Sequence, residues 1–164
     1  DHKGRYFQVR GPLNIERPPN GEPLLIQAGG SEAGQELSAR TADIVFSVVN
    51  GDKEEAKTAY NGLKARMAKY GREPDELVLL PGIMPITNSS QLIRFSDMCG
   101  AEIPRWIRLR LMAYRDDIAS IRAFGLDVVT GLCEKLRAGG APALHFYTMN
   151  QSAPVLEICR RLGG

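Results

Sequence analysis

Residues 23–48, PLLIQAGGSEAGQELSARTADIVFSV, pass from a short apolar run through a glycine-rich turn into a polar stretch, then into a second apolar run. PLLIQ (23–27) reads as a strand, SEAGQELSAR (31–40) as a helix and ADIVFSV (42–48) as the next strand. Strand, helix and strand in so short a span favour an α/β architecture. Between the first strand and the helix lies QAGGSEAG (27–34). Its glycines let the backbone approach an anion, the unpaired amides of a helix start point towards one, and the Ser31 hydroxyl adds a donor. The same residues also make an ordinary turn, and their spacing leaves both readings open.

The pattern repeats downstream. Asp52 is placed to cap the helix in DKEEAKTAYNGLKARMAKYG (52–71), with Glu55 as its capping-box partner and Ala56, Tyr60, Leu63 and Met67 on one face. ELVLLPGIMPI (76–86) supplies the third strand, where Pro81 lacks an N–H and is expected to end ladder pairing. Asn88 or Ser89 opens the helix through SQLIRFSDMCG (90–100), and Pro104 opens a shorter one at PRWIRLRLM. A long helix from about Asp116 to Arg137 carries an apolar stripe that includes Ile118, Ile121, Val129, Leu132, Cys133 and Leu136. APALHFYTMN (141–150) is the fourth strand with its following loop, and APVLEICRRLG (153–163) the closing helix.

Four βα units form either a TIM half-barrel-like parallel sheet or a flavodoxin-like open sheet. A complete eight-unit barrel takes about 250 residues, and this chain has 164. A half barrel has two open edges, which favour self-association into eight strands. Residues 1–22, with Tyr6, Phe7 and Val9 ahead of GPLNIERPPNGEP, read as an extended arm, and 23–164 as one (βα)4 domain.

Composition narrows the function classes. A formal charge of +2 with 43% apolar residues gives no electrostatic footprint for nucleic acid. No apolar run approaches membrane-spanning length and no secretory leader is evident, so an intracellular, cytoplasmic setting is expected. Cys99, Cys133 and Cys159 are widely spaced and His2 and His145 are the two histidines, which argues against a disulfide scaffold, a structural zinc and a histidine-rich metal centre. A start at Asp1 points to processing or to a piece of a longer chain.

Motif order adds a resemblance. YFQVRGPLN (6–14), RPPNGEP (17–23), QAGGS (27–31) and LLPG (79–82) fall in sequence. Over about residues 1–86 the chain resembles the C-terminal barrel part of luciferase-like flavin-dependent monooxygenases, in the nitrilotriacetate and alkane monooxygenase branch. IPRW (103–106) and HFYTMN (145–150) belong to a stretch, about 82–164, that resembles the C-terminal barrel part of bacterial methylenetetrahydrofolate reductase. PGIMPI (81–86) is compatible with both and marks a parental crossover near 82–86. The double resemblance implies a chimera, engineered or recombined: a half-barrel scaffold that lacks the earlier strands from which both families draw much of their flavin and catalytic apparatus.

For the turn, the resemblance implies that Gln27, Ala28, Gly29, Gly30 and Ser31 match an FMN-phosphate site, with Gly34 serving close packing or the helix start. The ligand so implied is FMN or a bare phosphate. No catalytic residue and no metal ligand is assigned. The enzymatic alternatives are an FMN-dependent oxidoreductase of monooxygenase type and a flavoprotein related to methylenetetrahydrofolate reductase.

Other residues have plainer readings. Asn50 ends a strand and suits helix capping; Phe46 suits the core; Arg10 is either an anion contact in the arm or an exposed arginine. His145 and Tyr147 share one strand face, opposite Phe146 and Thr148, and His145 is expected to make structural hydrogen bonds. Thr148 and Asn150 either cap the loop or line a pocket. Asp116 and Asp117 suit the positive end of the long helix. RWIRLR and CRRLG read as amphipathic packing in preference to an RNA or membrane surface.

Overall fold

The computed structural model describes residues 1–12, 14–16, 18–47 and 53–164. A short exposed hairpin comes first, β1 (His2–Lys3) antiparallel to β2 (Gln8–Val9). The arm thus carries a little regular pairing that its prolines and glycines did not announce. Then follow β3 (Ile26–Gln27), α1 (Glu32–Thr41), β4 (Ile44–Ser47), α2 (Lys53–Met67), β5 (Val78–Ile83) and α3 (Ser89–Cys99). α4 (Arg105–Tyr114), α5 (Ile118–Ala138), β6 (His145–Phe146) and α6 (Ser152–Arg161) complete the chain.

The four later strands are all parallel, in the order β3-β4-β5-β6. Sequential neighbours without a reversal are the order of a barrel segment, whereas a doubly wound sheet reverses at a switch point. The fold is a TIM half barrel, with helices covering one face. Ile26, Ile44 and Val78 align across three strands, as do Gln27, Val45 and Leu79. Because side chains alternate, these rows face opposite ways.

Val45 and Leu79 point to the helices, where Ala39, Leu63, Met67 and Leu77 bury around them. Ile83 and Phe146 do the same against a second cluster that includes Ile107, Leu111, Ile121, Val129, Cys133 and Ile158. Of the face expected on α2, Leu63 and Met67 are buried while Tyr60 is 43% exposed. The helix passes into a 3-10 turn at Ala68–Tyr70 and stops at Gly71, whose φ of 67° suits glycine. Arginines of α4 stay outside while Ile107 and Leu111 go in, but Trp106, Leu109 and Met112 are exposed as well, so the amphipathic reading of RWIRLR accounts for only part of its apolar residues.

Pro81 departs from expectation. β5 runs through it, in register with Ser47, and pairing with β6 starts one residue later at Gly82. The missing donor falls where one neighbour hands over to the next, so the strand tolerates it. Strands β3 and β6 are shorter than PLLIQ and APALHFYTMN suggested, because apolar sequence extends beyond the residues that find ladder partners. Asn88 caps α3 by accepting from the Gln91 amide at 3.0 Å, and Asp117 caps α5 by accepting from the Ser120 amide at 3.1 Å. The expected Asp52 cap lies outside the described residues.

Candidate phosphate turn and strand-end cluster

The turn after β3 is closely built. Ser31 has extended backbone (φ −68°, ψ 161°), and its Oγ accepts a 3.2 Å hydrogen bond from the Gly34 amide, which caps α1. A Cβ on Gly29 would stand 2.9 Å from Gly34 Cα, so side chains at either position would separate turn from helix. Gln35 Nε2 donates to the Gly30 carbonyl at 2.9 Å and pins the turn from inside the helix. Around Gly30 there is room: apart from its two chain neighbours, none of the described residues comes within 4 Å of the position its Cβ would take.

The Ser31 oxygen is therefore engaged as an acceptor while its hydroxyl proton remains to donate. The amides of Glu32 and Ala33, in the first turn, have no acceptor within the helix by its geometry. Glu32 would oppose an anion there, but its carboxylate turns to Arg66, with contacts of 2.6 and 2.9 Å. The Arg66 hydrogen bond holds the Glu32 carboxyl below its ordinary range and raises the guanidinium. The donor set and the open space fit a phosphate.

Gln27, Ala28, Gly29, Gly30 and Ser31 thus sit together at the C-terminal end of β3. Arg10 is exposed in the arm, and Asn50 lies outside the described residues.

A second cluster occupies the concave face. Phe46 on β4 stacks on His145 of β6, with ring centroids 4.1 Å apart and planes 10° apart. Tyr147 meets both rings edge-on, at 6.0 and 5.2 Å. These strands are not neighbours. Their side chains meet over Gly82 of β5, where a Cβ would stand 2.8 Å from the Tyr147 ring. Contact between alternate strands is how a TIM barrel layers its interior, and it requires a strongly curved sheet.

His145 and Tyr147 share a face as their spacing indicated, but the role expected of His145 changes: it packs against Phe46, with no hydrogen bond at its ring among the described residues. Phe46 belongs to this concave face, not to the helix-covered core. Burial raises the Tyr147 phenol above its ordinary pKa, with Cys99 adding to the shift.

The loop beyond β6 closes through a hydrogen bond from the Gln151 amide to the Thr148 carbonyl, 2.8 Å, with Met149 and Asn150 at φ 49° and 60°. Thr148 and Asn150 do both things expected of them, shaping the loop and bordering clefts. The ring cluster was missed in the sequence. Its signals were the shared parity of His145 and Tyr147 and the glycine of LLPG, but nothing local shows that β4 and β6 meet across β5.

Comparison with known proteins gives both resemblances. The family model described as Methylenetetrahydrofolate reductase matches residues 58–163, more than half of the chain and upstream of the crossover expected near 82–86. Nitrilotriacetate monooxygenase component A of Aminobacter aminovorans is 49% identical over 84 residues, 51% of this chain and 18% of that protein. The 5,10-methylenetetrahydrofolate reductase of Buchnera aphidicola subsp. Acyrthosiphon pisum (strain APS) is 36% identical over 85 residues, 52% of this chain and 29% of that one. A solved long-chain alkane monooxygenase superposes over 99% of this chain and 46% of its own, with TM-score 0.61 and 20% identity, which supports the fold alone. The chain spans about a fifth of the length of the first curated relatives it matches. No helix among the described residues is long and apolar enough to cross a membrane.

Proposed function

From its membership of the methylenetetrahydrofolate reductase family and its parallel likeness to monooxygenases, we propose that this chain is a half-barrel flavin scaffold. In this reading it holds the phosphate of FMN, or a bare phosphate, at Gln27–Ser31 and has no complete active site by itself. The observation that carries the reading is the open space at Gly30 beside the amino end of α1. Ser31 would donate its hydroxyl proton to a phosphate oxygen, and the Glu32 and Ala33 amides would face the same oxygens. FMN, when bound, would supply redox chemistry; the chain's own part is to anchor its phosphate. The walls around the flavin ring would come from four further strands, for which we propose a second copy pairing through β3 and β6. The one-chain (βα)4 organisation, with residues 1–22 as an arm and a recombined origin, belongs to the same proposal.

Two substitutions separate phosphate binding from simple capping. Ser31→Asp keeps an acceptor for the Gly34 amide but places negative charge in the cradle. Ser31→Ala removes the cap, at a cost of about 1 kcal/mol. Fluorescence titration of FMN should show saturable binding to the unaltered chain and loss in both variants, while thermal stability falls in Ser31→Ala alone. Undiminished FMN binding by Ser31→Asp, or none by the unaltered chain, overturns the site.

Family membership favours a second reading, a flavoprotein acting on methylenetetrahydrofolate. NADH oxidation that depends on that substrate would support it, and flavin binding without turnover would return the chain to the scaffold reading.

A further inference from the structure

On the helix-covered side of β5, Leu79, Pro81 and Ile83 share one face by alternation. Leu79 packs with the buried residues of α1 and α2, Ile83 with those of α5 and α6, and the two clusters stay separate. Pro81 lies between them. α2 packs on α1, and α5 on α4 and α6, while between α2 and α5 a groove of about 780 Å³ remains, with β5 as its floor. Ala56 and Tyr60 of α2 form one wall, Leu132 and Leu136 of α5 the other, and residues 139–142 close one end. Tyr60 is 43% and Leu132 46% exposed, so apolar surface on both walls faces water.

Polar side chains are confined to one wall. Lys57, Tyr60 and Lys64 all belong to α2, and among the described residues no aspartate or glutamate borders the groove. The backbone amides at its closed end are already bonded, Gly139 to the Lys135 carbonyl, Gly140 to that of Arg137 and Ala141 to that of Leu136. Lys64 Nζ donates to the Pro74 and Leu77 carbonyls, and partial burial lowers its pKa. What it offers the groove is its aliphatic stem. Lys57, two turns earlier, is exposed and holds no carboxylate among the described residues. A ligand would therefore meet an unpaired cation at one end and apolar surface along the rest. The floor is a strand of six residues, about 17 Å at about 3.3 Å per residue, which suits an extended chain better than a single ring. We propose that this groove binds an unbranched alkyl carboxylate, its carboxylate at Lys57 and its chain along Leu79, Pro81, Leu132 and Leu136. The volume is that of a small-molecule site. It lies on the outer face of the sheet, apart from the turn after β3 and from the strand edges, so it requires neither flavin nor a second copy.

Calorimetric titration of the full chain with decanoate, kept below its micelle-forming concentration, tests this, with hexanoate and decyltrimethylammonium as probes of chain and charge. Decanoate should bind saturably and about tenfold or more tighter than hexanoate, since each buried methylene contributes about fourfold. Lys57→Gln should weaken decanoate about two- to fivefold, the scale of an exposed ion pair, and Lys57→Arg should restore it. Leu132→Glu, which sets a charge in the apolar wall, should abolish binding. Ala56→Glu tests the same point from the opposite wall, and circular dichroism checks that each variant is folded. Three results would overturn the proposal: no saturation by decanoate, decyltrimethylammonium binding as tightly as decanoate, or affinity unchanged in Lys57→Gln or in the folded glutamate variants. Binding lost in Val78→Lys but kept in Leu132→Glu would also overturn it, by assigning the alkyl chain to the concave face.

Discussion

Gly125 and Gly131 lie six residues apart on α5, yet substitution should act in opposite directions. A Cβ on Gly125 would press into the carbonyl and side chain of Ile86, whereas one on Gly131 meets nothing within 4 Å among the described residues. Gly125→Ala is therefore expected to cost about 1–3 kcal/mol through overpacking. Gly131→Ala should gain about 0.5–1 kcal/mol, since alanine loses less freedom in a helix. Urea midpoints measure both, and a stabilising Gly125→Ala would mean that α5 does not seat on the loop after β5. The sequence displays two glycines in one helix but not which is pressed against a neighbour. The turn at 27–34 was more legible, because Ser31, Gly29 and Gly34 act on residues only a few positions away. His145 was less so, because its partner Phe46 is brought close by curvature of the sheet and not by chain proximity.

At the scale of elements, short strands depend on side chains outside their ladders. The Asp43 carboxylate accepts from the Leu25 amide at 2.8 Å, while the Leu25 carbonyl receives the Asp43 and Ile44 amides. Asp43→Ala should raise hydrogen exchange at Leu25–Gln27 and leave the middle of α5 protected; equal loss everywhere would show that β3 does not open locally. α6 is tied to α5 by charge, since Arg161 reaches Asp127 at 2.7 Å while Glu157 holds Arg160 and Arg161. Hydrogen bonds from Arg160, then Arg161, lower the Glu157 carboxyl from 4.5 to about 2. A lowered carboxyl stabilises the fold above its ordinary pKa and loses that effect as pH falls towards the folded value. The difference in thermal midpoint between the unaltered chain and Glu157→Gln should therefore hold above pH 4.5 and shrink towards about 2. A difference independent of pH would place the effect elsewhere. Helix periodicity and caps revealed these elements in sequence; Pro81 misled because a ladder hand-over depends on a strand found about sixty residues later.

For the whole molecule, the order of parallel strands determines what a partner must do. β3 and β6 are the free edges of the described sheet, and both point the same way. Extending a parallel barrel requires β6 of one copy beside β3 of the other. A two-fold axis along the barrel makes both such joins and closes eight strands, whereas pairing β3 with β3 would run antiparallel and leave edges open. Phe46 and His145 come from alternate strands, so two copies would supply the four side chains that make one interior layer of a barrel. Ile26, 55% exposed, and Val78, 37% exposed, lie on that same concave face and would be covered. Equilibrium sedimentation is expected to show the 18.0 kDa chain giving way to twice that mass as concentration rises. Val78→Lys, which would bury an unpaired charge inside the closed barrel, should shift the equilibrium to monomer without unfolding the chain, because its side chain faces away from the helices. If the chain stays monomeric throughout and Val78→Lys changes nothing, the two-copy barrel is wrong; if the Val78→Lys variant assembles as well as the unaltered chain, the contact runs through another surface and the concave face is open in solution.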